Sequence, residues 1–285
     1  SNGVCEWNVS RDDLEDLDVP LICFGVGLNE FRGSDFYDSD AFIDYMRQLA
    51  RKSLFIGFRE RRSVEILRER LPEFAGRIGY QPCASLMLRA NRPVLQLDRS
   101  AARSAQRHVV INPAFDRSDR RFGHRMGQAL EQLQGLVNRL LDQGHRVSIF
   151  AHCPEDAYLH ACLDRRTEVG LHDLSGFSTT AVLKEYNDVD LVIGMRTHAQ
   201  LIPFAMGIPI ISVATHDKLL WALDDLGVPS FGVELFDTEF LAKAGSLAAA
   251  LLDDPVNARL LIKTRLNDVY STTQANFELI KTRLE

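Results

Sequence analysis

No run of about 18 or more apolar residues occurs in the chain, and its first residues lack the charged, apolar and small-residue order of a secretion signal, so no membrane span is predicted. Cysteine is scarce and scattered. The five residues Cys5, Cys23, Cys83, Cys153 and Cys162 are odd in number and include no CxxC pair. That excludes a disulfide-dense scaffold and points to reduced thiols in a cytoplasmic protein. Nor is there a surplus of positive charge: the net charge is −6, with acidic and basic residues interleaved, so neither nucleic acid nor an anionic membrane is an expected partner. The sequence contains no GxSxG, no Walker A loop, no intact GxGxxG and no HxxxH or HxH pair, which leaves the common hydrolase, nucleotide and zinc signatures without support. Any anion site must therefore be local.

What is there is an alternation of strand and helix patterns over 285 residues, 46% of them hydrophobic. Apolar runs at Val19–Gly27, Leu54–Phe58, Val109–Asn112, Arg146–Ala151, Val189–Ile193, Ile208–Val213 and Ser230–Val233 read as buried strands. Helical periodicity fills Asp40–Ala50, Ser63–Leu71, Gly123–Gln143, Ser178–Tyr186, Ala199–Met206, Leu219–Leu226, Thr238–Leu252 and Asn257–Leu284. Gly144 and Gly207 stand where helix stops are expected. Gly79–Leu88 and Pro93–Leu97 read as short extended pieces, and the polar segment Arg99–Gln106 as an interdomain linker. The expectation is a doubly wound α/β protein of two Rossmann-like domains facing a cleft, at 1–104 and 105–266, with a helix over 267–285 packing back on the first domain.

The most informative stretch runs from Asp188 to Lys218, DVDLVIGMRTHAQLIPFAMGIPIISVATHDK, a strand–helix–strand unit. At its first turn stand Arg196 and His198. Ligands of open α/β sheets bind at that edge, and helix amino termini there favour anions. Lys218, after the second strand, can reach the same edge. Arg59 occupies a similar strand-to-helix turn upstream, although Arg61, Arg62, Arg68 and Arg70 crowd that surface and read as solvated. The competing reading of Arg196 is a salt bridge with a nearby acid, and of His198 a packed or capping histidine. Among the other histidines, His124, His152 and His216 lie where they could line a cleft, whereas His108, His145, His160 and His172 read as ordinary packed or solvated groups. A metal held by Asp217, His216 and His198 has no supporting ligand spacing, so none is expected.

Gly194-Met195-Arg196-Thr197-His198, followed by Ala205-Met206-Gly207-Ile208-Pro209 and Lys218, resembles the polysaccharide pyruvyl transferase family. Its members carry an aspartate-rich strand into a GxRxH turn, a helix ending in a small residue, Gly, Val or Ile and Pro, and a lysine after the next strand. Phe58-Arg59-Glu60-Arg61-Arg62-Ser63 resembles the family's Arg–acid–x–x–Ser turn, which extends the likeness over roughly Val19 to Val233. The resemblance implies a glycosyltransferase-B-like fold and transfer of a pyruvyl group from phosphoenolpyruvate to sugar hydroxyls of a cell-surface polysaccharide or lipid-linked precursor, as a ketal. It assigns Arg196 and Arg59 to the donor's carboxylate or phosphate, Lys218 to assistance and His198 to acid/base work, with no cofactor beyond the donor itself. Two departures stand out. The family's Gly-rich loop after its first strand has no counterpart, which implies a first domain truncated at its amino terminus. His216-Asp217 also replaces the usual aspartate–proline pair before the lysine. The alternatives are a nucleotide-sugar glycosyltransferase of the same architecture and a non-catalytic binding protein on this fold.

Overall fold

A computed structural model describes residues 9–28, 39–88 and 106–285, and divides the chain into two compact units, Ser1–Ala84 with Asp268–Glu285, and Ser85–Asn267. Apart from Gln106, the linker segment Arg99–Gln106 lies outside the described residues, as does Pro93–Leu97.

In the first unit, strands β1 (Leu21–Val26), β2 (Ser53–Phe58) and β3 (Ile78–Tyr80) form a parallel sheet in that order. Parallel neighbours require crossovers, and these are the helices Asp40–Lys52 and Arg61–Arg70. Ser39 starts the first of them by accepting the Phe42 amide at 3.3 Å. Met46 and Leu49 of that helix, Val64 and Leu67 of the second, and Ile56, Phe58 and Ile78 of the strands share one apolar core. The segment expected to be extended after β3 instead makes a 3-10 turn over Ala84–Met87. Residues from Asp268 onward, the end of the long helix Pro255–Leu284, are held to this unit by directed bonds. Asn276 Nδ2 donates to the Tyr80 carbonyl at 2.8 Å, Gln81 Nε2 donates to Thr273 Oγ1 at 3.2 Å, and Phe277 stacks on Phe24 with centroids 5.1 Å apart.

The second unit holds a six-stranded, wholly parallel sheet. In chain order its strands are β4 (His108–Asn112), β5 (Arg146–Ala151), β6 (Val169–Asp173), β7 (Leu191–Gly194), β8 (Ile210–Ala214) and β9 (Gly232–Glu234), and in space they run β6-β5-β4-β7-β8-β9. β4, β7 and β8 are buried at every residue, which is why they read as continuous apolar runs. Helix Met126–Asp142 buries Leu133, Leu136 and Leu140 completely. It begins three residues later than the periodicity implied, because Gly123 adopts φ +54 and separates it from a short helix at Ser118–Phe122. Helix Thr197–Ala205 stops as its sequence implies. Gly207 takes φ +78 and its N–H bonds the Phe204 carbonyl at 2.8 Å, while Ile208 N–H bonds the Pro203 carbonyl at 2.9 Å, the pair of contacts of a Schellman turn. Among the described residues no helix is long and apolar enough to cross a membrane.

Candidate functional site

Strand order places the site. The chain starts the second sheet at its centre with β4, moves outward through β5 and β6, then returns beside β4 with β7 and moves outward the other way. The two loops leaving β4 and β7 therefore diverge to opposite faces and open a crevice at their carboxyl ends, the usual ligand position of a doubly wound sheet. Asn112 and Gly194 end the two strands as register partners, and the Met195 amide bonds the Asn112 carbonyl at 2.9 Å. Gly194 is needed for close approach: a Cβ there would lie 2.9 Å from Cγ of Gln200. Gln200 is pinned in turn, donating to the Gly194 carbonyl at 2.7 Å and accepting from Ser212 Oγ. Strand end and helix start are thus locked together, and the Arg196–Thr197–His198 turn leaves them in one direction.

Arg196 is fixed by acids from the two neighbouring loops. Its Nε donates to Asp156 Oδ2 at 2.9 Å, and its Nη2 donates to Asp156 Oδ1 at 2.7 Å, to Cys153 Sγ at 2.7 Å and to Asp116 Oδ1 at 2.8 Å. Asp156, fully buried, also accepts the amides of Phe115 at 3.1 Å, His152 at 3.1 Å and Cys153 at 3.3 Å. One carboxylate therefore ties together the loops after β4, β5 and β7. Burial works against the guanidinium's charge, but the hydrogen bonds and charge of Asp156, with Asp116 behind them, outweigh it and hold Arg196 above its ordinary range. Arg121 pairs with Asp116 at 3.1 Å, so two cations and two carboxylates balance in this cluster. Burial, reinforced by Asp156, pushes the Cys153 thiol up to about 12 despite Arg196, so it is a neutral thiol and not a nucleophile. Sγ of Cys153 and one oxygen each from Asp116 and Asp156 lie within 4.8 Å of one another, as metal ligands can. Arg196 already bonds all three, and the trio includes none of His198, His216 and Asp217.

His198 lies in the first turn of helix Thr197–Ala205 and is exposed. Lys218 occupies the first turn of helix Asp217–Asp225, after β8, and is buried, as is His216 before it. Arg196, His198 and Lys218 thus all follow carboxyl ends of adjacent strands of one sheet. Arg59 follows β2 in the first unit, where its Nε meets Glu60 Oε1 at 3.0 Å, and Glu60 in turn accepts from Ser63 Oγ at 3.3 Å. The acid and serine of that turn therefore hold its arginine. His152, after β5, places Nε2 2.9 Å from the buried Tyr186 hydroxyl. Its pKa falls to about 4, through burial first, with the charges of Arg196 and His198 adding to it and Asp156 opposing. Asp156 and Asp116 were not singled out as arginine partners in the sequence; the available signal was an acidic residue just past a strand end, in Pro154-Glu155-Asp156.

A family model described as polysaccharide pyruvyl transferase matches residues 6–217. No curated protein matches the chain. Among solved structures, one of S. aureus MnaA with UDP aligns at a TM-score of 0.54 and 10% identity, over 86% of this chain and 62% of that one. A structure of accessory secretory protein 1,2 and 3 from Streptococcus pneumoniae aligns at 0.59 and 17%, over 95% and 50% respectively. UDP-GlcNAc 2-epimerase from Neisseria meningitidis, bound to UDP-GlcNAc, aligns at 0.51 and 13%, over 90% and 70%. The chain thus spans 62% and 50% of the first two. At these identities the likeness is one of fold, the glycosyltransferase-B-like pair of Rossmann-like domains.

Proposed function

The chain belongs to the polysaccharide pyruvyl transferase family, and on that premise we propose that it moves the pyruvyl group of phosphoenolpyruvate onto two hydroxyls of a sugar in a cell-surface polysaccharide or its lipid-linked precursor, forming a ketal. The observation that carries the proposal is the placement of the family's turn: Arg196 is locked at the crevice between β4 and β7, and His198 is exposed one helical step beyond it.

The donor's central carbon becomes electrophilic when its methylene end takes a proton. A sugar hydroxyl then adds to that carbon, phosphate leaves, and a second hydroxyl closes the ketal. Of the two hydroxyl protons lost, one balances the new methyl group and the other leaves with phosphate. The reaction therefore needs a group that gives a proton to carbon in one step and takes a hydroxyl proton in another, and His198 takes that role. Arg196 orients the turn through Asp156. Its bonds among the described residues all use Nε and Nη2, so Nη1 is the edge it presents to the donor's carboxylate or phosphate. Because the cluster around it is balanced, the net attraction for a trianionic donor comes from elsewhere. It comes from the amino termini of helices Thr197–Ala205 and Asp217–Asp225, the second of which carries Lys218 in its first turn.

A second reading, a nucleotide-sugar enzyme, is favoured by one observation, the likeness of fold to structures holding UDP or UDP-GlcNAc. The two readings separate in one assay. Purified protein is offered phosphoenolpyruvate, or UDP-sugars, with a panel of p-nitrophenyl hexosides. Release of phosphate together with a pyruvylated hexoside supports the first reading, and release of UDP supports the second.

A further inference from the structure

Resting on the pyruvyl-transfer reading, we propose that His152 is the acceptor-binding residue of this site, contacting a sugar hydroxyl through Nδ1 while Tyr186 holds Nε2. Three observations lead there. The loop carrying His152 is built into the site, since its main-chain N–H and the Arg196 Nε converge on the same oxygen, Asp156 Oδ2, at 3.1 and 2.9 Å. The ring is oriented by the buried Tyr186 hydroxyl, which meets Nε2 at 2.9 Å. Nδ1 is then the ring nitrogen that bonds nothing among the described residues, on a side chain that is only partly buried.

The chemistry of the partner follows from charge. His198 and Arg196 both lie close enough to act on the His152 ring, and together with burial they keep it neutral through the neutral pH range. A neutral imidazole adds nothing to the attraction of a trianionic donor, but it offers one directed hydrogen bond to a neutral hydroxyl. With one nitrogen fixed by Tyr186, the other points in a set direction and can select which hydroxyl of the sugar faces the donor. His152 so placed positions the acceptor, and proton transfer stays with His198.

Two substitutions separate this role from a structural one, because an asparagine amide superposes on Nδ1 of histidine and a glutamine amide on Nε2. The measurements are kcat and KM for phosphoenolpyruvate and for the p-nitrophenyl hexoside that the wild type turns over best, with urea unfolding as a check of folding. His152→Asn should keep the acceptor KM within about threefold. His152→Gln, which keeps the Tyr186 contact but loses the ligand contact, should raise it up to about tenfold, the worth of one neutral hydrogen bond. In both variants the donor KM and the pH profile of kcat should match wild type. The reverse order, glutamine intact and asparagine impaired, makes His152 a structural partner of Tyr186 and overturns the proposal, as does wild-type acceptor KM in both. A wild-type protein that turns over no phosphoenolpyruvate overturns the reading of the reaction, and this proposal with it.

Discussion

Replacing Asp156 with Asn removes a buried negative charge without changing its shape. The remaining amide oxygen keeps only the donors on its own side, because Phe115 N–H and Arg196 Nη2 bond Oδ1 while His152 N–H, Cys153 N–H and Arg196 Nε bond Oδ2. The new NH2 therefore faces one Arg196 donor and at least one main-chain N–H. Breaking a buried ion pair from one side costs about 3–5 kcal/mol. Here Arg196 keeps Asp116 at 2.8 Å and retains 19% exposure, which places the cost at the lower end, about 3 kcal/mol. Arg196→Met removes the other half and leaves Asp156 with its three amides, so it should cost about as much. The double variant then leaves no unpaired charge at that position. Its cost should fall short of the sum of the two single costs by at least about 1.5 kcal/mol. Urea unfolding followed by Trp221, which lies in helix Asp217–Asp225 of the second unit, reads the effect, in a Trp7→Phe background so that one fluorophore reports. Additivity within about 0.5 kcal/mol would refute the claim that this carboxylate and this guanidinium hold the site's loops as one unit.

Stability should fall on acidification through His108. Its Nδ1 accepts from Arg146 at 2.7 Å, its Nε2 meets Ser148 Oγ at 2.9 Å, and burial first, then the Arg146 charge, brings its pKa to about 4. The unfolded chain takes up a proton near pH 6.5 that the folded one refuses until about 4, so stability is full above that window and declines within it, by about 3 kcal/mol at most. His108→Gln should flatten the decline in urea midpoint between pH 7 and 4.5, and an unchanged slope would remove His108 as the cause. Gly194→Ala should cost about 1–3 kcal/mol by driving a methyl against the pinned Gln200, and a Gly194→Ala/Gln200→Ala variant should recover part of that loss. Equal urea midpoints for Gly194→Ala and wild type would contradict the close packing of strand on helix.

Much of the fold was legible because its strands are buried on both faces and so write themselves as apolar runs, and because Gly144 and Gly207 mark helix ends with positive φ. β6 was not legible. Its sequence is Val169-Gly170-Leu171-His172-Asp173, and it lies at the sheet edge with Val169 buried and most of the rest open, so neither an apolar run nor an alternation announces it. The site divides the same way. Arg196 and His198 sit in one five-residue turn and could be read together, whereas Asp156 lies 40 residues before Arg196 and meets it only because β5 and β7 flank β4. The ion-pair alternative for Arg196 is present in the structure, and it explains how a turn on a loop is held still enough to orient a histidine. Lys218 was placed at the right strand end, but its burial could not be read from a helix start that looks polar.

The measurement that bears most directly on the account is mass analysis of the product formed in D2O from phosphoenolpyruvate and an accepted hexoside, comparing wild type with His198→Gln. Wild type should yield a pyruvylated hexoside carrying one deuterium in its new methyl group, with one phosphate released per ketal, and the variant should make the same product about two to four orders of magnitude more slowly at saturating substrates. Phosphoenolpyruvate left unconsumed by the wild type, or a variant that turns over at the wild-type rate, would contradict the account.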